Sequence, residues 1–146
     1  MNRNKWNRKP YILLAEDDRD DRFLLEEAFS EVERSLQLQF VEGGNELLNQ
    51  MNDRLQQAGP LPSVIMLDLN LPKMDGKTTL QILKGHAVYK YIPVVILSTS
   101  GDKRDIQHCY ACGANTYIVK PASFKTLTFV IGTLCTYWLD IASGVH

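Results

Sequence analysis

Short β-prone apolar runs alternate five times with segments of helical spacing along this chain, and that alternation leaves few folds open. The first run, YILLA from Tyr11, leads into DRDDRFLLEEAFSEVERS, where Leu24, Leu25, Ala28, Phe29 and Val32 recur at helical steps. LQFV at 38–41 is the second, followed by a helix carrying Leu47, Leu48, Met51 and Leu55, with Asn45 placed as its cap. VIMLD at 64–68, PVVILS ending on Ser98, and TYIV before Lys120 complete the set. Their helices are expected from about Lys77 to Lys84, from the Asp102 cap to Gly113, and from the Ser123 cap through Leu127, Val130, Ile131, Leu134 and Trp138. Runs as apolar as VIML lie buried on both faces, which predicts an α/β domain: a five-stranded parallel sheet with helices on both faces and right-handed crossovers.

One domain over residues 10–141 accounts for this pattern, with a basic leader at 1–9 and a tail at 142–146. The formal net charge of −1 supplies no global attraction for nucleic acid or a membrane surface. The opening MNRNKWNRKP reads as a solvated leader without the apolar stretch of a signal peptide. No window has the apolar length of a transmembrane helix, so a cytoplasmic protein is expected. Three cysteines fit a reducing compartment. Cys109 and Cys112 have the spacing of redox and zinc motifs, but they precede Gly113 at a helix end, where the dipole opposes a thiolate. Zinc would need two more ligands, and His108 and Cys135 are the only plausible donors.

In a parallel sheet the carboxyl ends of the strands share one edge, where ligands bind. That edge collects Glu16 and Asp17 from the first strand, Asp68 from the third, Ser98 from the fourth and Lys120 from the fifth. Three acids crowded together repel one another without a cation, which points to a hard divalent metal, naturally Mg2+. Asp68, interrupting an otherwise apolar run before a Pro and Gly turn, is placed to attack phosphorus and hold an acyl phosphate. Lys120 and the Ser98 hydroxyl would offset charge on the phosphoryl oxygens.

At LLAEDD, MLDLNLPKMDG, PVVILSTS and YIVKP the chain resembles the response-regulator receiver domains of two-component signalling, over about residues 10–141. The resemblance implies a flavodoxin-like (βα)5 fold and a phosphoacceptor signalling protein with self-phosphorylation and slow autodephosphorylation, not an enzyme. By the family pattern Asp68 accepts the phosphoryl group from a histidine kinase. Asp17 and Asp68 ligate Mg2+, Glu16 acts through water, and the carbonyl of Asn70 completes the protein ligands. Lys120 contacts the phosphoryl group, with a cis bond before Pro121, and Ser98 and Tyr117 are the switch residues. Thr99 departs from the family's usual small residue and bears on access to the acyl phosphate. DLNLPKMDG, GANTYIVKP and TYWL most resemble stand-alone regulators of bacterial phytochrome-type kinases.

Arg19, Asp20, Asp21 and Arg22 are either a docking edge for the kinase or an ordinary solvated helix start. Phe124, Phe129 and Tyr137 fall outside the buried stripe of the last helix, which favours a homodimer through the fourth helix, fifth strand and fifth helix. The downstream target is expected to be met by protein contact. The alternative activity is a magnesium-dependent aspartyl phosphatase of haloacid-dehalogenase type. It needs a second Asp two residues after the nucleophile, and here that position is Asn70.

Overall fold

A computed structural model describes residues 9–144. The expected leader falls mostly on residues 1–8 and the end of the tail on 145–146, outside the described residues. Five strands, β1 (Tyr11–Ala15), β2 (Gln37–Val41), β3 (Val64–Leu67), β4 (Val94–Ser98) and β5 (Thr116–Val119), form one sheet in the order β2-β1-β3-β4-β5. Every pairing is parallel. The helices are α1 (Arg19–Ser30), α2 (Gly44–Gln56), α3 (Gly76–Gly85), α4 (Lys103–Ala111) and α5 (Phe124–Cys135).

Alternation along the strands divides the core in two. Leu13, Ile65, Leu67, Val94 and Ile96 point toward α2, α3 and α4, where they meet Leu47, Met51, Leu80, Leu83 and Cys109. Their neighbours Ile12, Leu14, Met66, Val95 and Leu97 point the other way, toward Leu25, Ala28 and Phe29 of α1 and Leu127, Ile131 and Cys135 of α5. The central strands β1, β3 and β4 are buried throughout, as their unbroken apolar runs require. The Asp102 and Ser123 caps stand as expected, each side chain accepting a backbone N–H.

Three local expectations are corrected. Asn45 is not the cap of α2; Gly43 is, and the helix begins at Gly44. A Cβ on Gly44 would lie 1.9 Å from Thr79 Oγ1, so packing against α3 sets where this helix starts. The last α-helix ends at Cys135 and continues as a π-helical turn, Thr136–Ile141, that keeps Trp138 and Leu139 against the core. The hydroxyls of Thr128, Thr133 and Thr136 each donate to the carbonyl four residues back, which loosens the regular ladder before this turn. Finally, no described peptide bond is cis, so the bond before Pro121 is trans. Trans is the favoured form by about 0.5–1 kcal/mol, and Lys120 reaches its partners from it.

Candidate functional site

The sheet ladder carries one residue past the ends of β1, β3 and β5. The N–H groups of Glu16, Asp68 and Lys120 donate to the carbonyls of Val41, Ala15 and Ser98 at 3.0, 3.2 and 2.7 Å. These bonds fix the backbone beneath each functional side chain. Glu16, Asp68 and Ser98 are buried, although acids seldom are without partners.

Their partner is Lys120. Its Nζ donates to Glu16 Oε1 at 2.6 Å, Asp68 Oδ2 at 2.7 Å and Asp21 Oδ2 at 2.8 Å. The other oxygens of the two buried acids are also engaged: Asp68 Oδ1 accepts the Asn70 N–H at 3.0 Å and Glu16 Oε2 the Asp18 N–H at 3.2 Å. Burial disfavours the Lys120 ammonium, but its hydrogen bonds to Asp21, Asp68 and Glu16 together hold its pKa above the ordinary lysine value. Burial pushes the Glu16 carboxyl up to about 7, against the Lys120 hydrogen bond and with help from the Asp68 charge. The Lys120 direction follows from three carboxylates around one ammonium, whereas that of Glu16 follows chiefly from its burial.

Asp21 is the member that sequence reasoning placed elsewhere, at a docking edge or solvated helix start. The Asp18 side chain caps α1 by accepting the Asp21 N–H at 2.9 Å, which aims the first turn of the helix at the strand edge. The signal available was the run EDDRDD itself, in which an N-cap Asp is followed three residues later by another acid. Among the described residues the acids with oxygens within 4.8 Å of one another are Glu16, Asp21 and Asp68. Asp17, expected as a ligand, is exposed and outside this set, and Asn70 is exposed on the loop after β3.

The donor set fits a divalent cation. Three carboxylates converge on one centre, that centre is held by a positive charge, and all the side-chain donors are hard oxygens. The expected switch residues lie beside it. Ser98 Oγ accepts the Ser100 N–H at 3.2 Å, and the Tyr117 hydroxyl donates to the Ser100 carbonyl at 2.8 Å. The half-buried Tyr117 ring packs on the α2–α4 side of the core, and Thr99 is exposed at the rim.

Gly76 sets the loop that carries Asp68. A Cβ there would stand 2.2 Å from the Asp68 carbonyl oxygen and 2.8 Å from Leu69 Cα, both backbone atoms that cannot yield cheaply. Gly76→Ala is therefore expected to cost about 1–3 kcal/mol in urea unfolding and to weaken metal binding together with stability. Wild-type stability in this variant would show that the close approach is not required.

The structure thus sets an acidic pocket with a lysine at the carboxyl edge of a five-stranded parallel sheet. The family model for the response regulator receiver domain matches residues 12–131, and the chain belongs to that family. The Synechocystis sp. response regulator Rcp1 is 34% identical over 134 residues, 88% of this chain and 88% of that protein. A crystal structure of the Mn(2+)-bound form of response regulator Rcp1 gives a TM-score of 0.82 at 29% identity, covering 94% of this chain and 99% of that one. The phosphorylated cyanobacterial phytochrome response regulator RcpA superposes with a TM-score of 0.87 at 34% identity, over 95% of this chain and 100% of that one. The probable methanogenesis regulatory protein FilR2 of Methanothrix harundinacea is 34% identical over 130 residues, 88% of this chain and 83% of its own length. The protein is thus a response regulator of two-component signalling. The phosphatase alternative gains no support from these relatives.

Proposed function

We propose that Asp68 is the phosphoacceptor and that this regulator takes its phosphoryl group from a phytochrome-type histidine kinase with Mg2+ as the metal. A carboxylate oxygen of Asp68 attacks the phosphorus of a phosphohistidine. The new oxygen–phosphorus bond forms as the phosphorus–nitrogen bond breaks, and its electron pair returns to the imidazole, which takes up a proton. The observation that carries this reading is the Lys120 ammonium 2.7 Å from Asp68 Oδ2, already positioned to face charge at that atom. Lys120 and the Ser98 hydroxyl donate to phosphoryl oxygens, and Thr99 at the rim limits the approach of water. Bound Mg2+ supplies charge stabilisation for the transferring group. The kinase assignment is supported by the phytochrome regulator among the similar structures.

The proposed metal ligands are Asp17, Asp68 and the Asn70 carbonyl, with Glu16 acting through water, and the gathered carboxylates add Asp21 as a rival to Asp17. Magnesium titration of Asp17→Ala and Asp21→Ala separates the two. Loss of a direct ligand should weaken binding by roughly tenfold or more, whereas loss of an outer partner of Lys120 should leave affinity nearly unchanged or improve it. Unchanged affinity in Asp17→Ala would remove Asp17 from the ligand set.

Output is proposed to run through protein contact, without nucleic acid or membrane, from a homodimer formed on the α4, β5 and α5 face. Phe129 is 72% exposed on α5, and Phe124, Tyr137, Val119 and Tyr110 are exposed on the same three elements and the turn that follows α5. Sedimentation with and without beryllofluoride tests this. A monomer in both states at tens of micromolar means a contact weaker than about −6 kcal/mol and ends the dimer proposal. The cytoplasm is the proposed compartment, where the free thiols of Cys109, Cys112 and Cys135 stay reduced.

A further inference from the structure

We propose that Ser100, Asp105 and Lys77 form a positioning relay that holds the Ser98 and Tyr117 side chains in their hydrogen-bonded arrangement around Ser100 before any phosphoryl group arrives. Its consequence for signalling rests on the reading of Asp68 as phosphoacceptor; the relay itself rests on the hydrogen bonds around Ser100.

Ser100 lies in the loop between β4 and α4, and its N–H, carbonyl and hydroxyl are all used. The N–H donates to Ser98 Oγ at 3.2 Å and the carbonyl accepts from the Tyr117 hydroxyl at 2.8 Å. Its hydroxyl donates to Asp105 Oδ2 at 2.6 Å and accepts the Asp102 N–H at 3.3 Å. One residue therefore touches both switch side chains and is anchored to the first turn of α4. A hydroxyl bound to a carboxylate at this distance is of the stronger, charge-assisted kind.

Asp105 is held in turn. Its other oxygen accepts from Lys77 Nζ at 2.7 Å, and Lys77 follows Gly76 at the start of α3. The Gly76 N–H donates to the Leu69 carbonyl at 3.0 Å, one residue after Asp68. The relay thus spans the loop after the acceptor strand and the loop after the switch strand. Both side chains of the ion pair are partly open to water, so their attraction adds little stability by itself. What the pair does is orient the Asp105 carboxylate.

Orientation matters at Ser98. Because Ser98 Oγ accepts from Ser100, its own proton remains free to donate elsewhere. Tyr117 is fixed at two points, through its hydroxyl on Ser100 and through its N–H on the Tyr110 hydroxyl at 3.0 Å. A ligand that needs this arrangement binds more weakly in proportion as the arrangement is depopulated.

The test uses the full chain labelled with 3-fluorotyrosine, with Tyr117→Phe assigning the Tyr117 resonance. Asp105→Leu, Ser100→Ala and the double variant are compared first without metal or phosphoryl mimic. The relay predicts that the Tyr117 resonance moves in both single variants and no further in the double, because both break one chain of contacts. Beryllofluoride affinity in Mg2+ should then fall roughly three- to tenfold in each. Lys77→Met, which leaves the Asp105 to Ser100 bond in place, should give a smaller change in the same direction. An unmoved Tyr117 resonance, or single effects that sum in the double variant, overturns the relay. A wild-type protein that binds no beryllofluoride overturns the phosphoacceptor reading instead, and the Tyr117 resonance still decides the relay.

Discussion

Asp68→Asn is expected to take up no label from a phosphorylated histidine kinase or from acetyl phosphate, while unfolding in urea much as the wild type does. The amide has the shape of the carboxylate but is a poor nucleophile toward phosphorus, so uptake should fall to background. Stability should change by only about 1 kcal/mol, because two effects oppose each other. The substitution weakens the bond from Lys120 Nζ to Asp68 Oδ2, yet it also removes one of three carboxylates that share a single ammonium. The amide keeps a single acceptor oxygen, so when that oxygen goes on accepting the Asn70 N–H its NH2 faces Lys120, and the Lys120 bond is the one given up. Gel separation of phosphorylated protein and a denaturation curve on the same sample check both halves. Label persisting at the wild-type level would move the acceptor to another acid of the cluster, Glu16 or Asp21.

That prediction depends on strand ends, which is where the sequence was most legible. A buried parallel strand announces itself by an unbroken apolar run, and the first polar residue after it must surface at the carboxyl edge. Glu16, Asp68 and Lys120 could therefore be placed together from spacing alone, with Ser98 closing β4. Asp21 could not, because its reach into the site depends on the angle at which α1 leaves the sheet, set by the Asp18 cap. The α2 start was misplaced for a related reason: Asn45 has the better capping side chain, but the close approach of Gly44 to Thr79 outweighs that local preference. Beyond Cys135, three threonines bond back to carbonyls, and Arg34 pairs with Asp140 across most of the chain. Periodicity sees neither interaction. The aromatics outside the α5 stripe, Phe124, Phe129 and Tyr137, were legible because a helix face is a matter of spacing, and all three are exposed.

Lys120→Ala should show how the acidic centre is held when no metal is bound. In metal-free buffer the variant is expected to lose about 3 kcal/mol, since removing one partner of a buried ionic cluster leaves the opposite charges uncompensated. The cost falls mainly on Glu16 and Asp68, whose side chains are 4% and 9% exposed, and less on Asp21 at 37%. Divalent metal should then stabilise the variant more than the wild type, because the cation no longer competes with an ammonium already bonded to the same three acids. At a hundredfold excess over its dissociation constant, bound metal adds about 2.7 kcal/mol, enough to recover most of the loss. Phosphoryl uptake should remain impaired even in metal, because a second positive charge facing the Asp68 oxygen is still missing. Urea unfolding of both proteins with and without Mg2+ makes the comparison. Metal-free stability equal to the wild type would mean that the three acids manage their repulsion without Lys120, by taking up protons, and the account of this lysine as their counter-charge would fail.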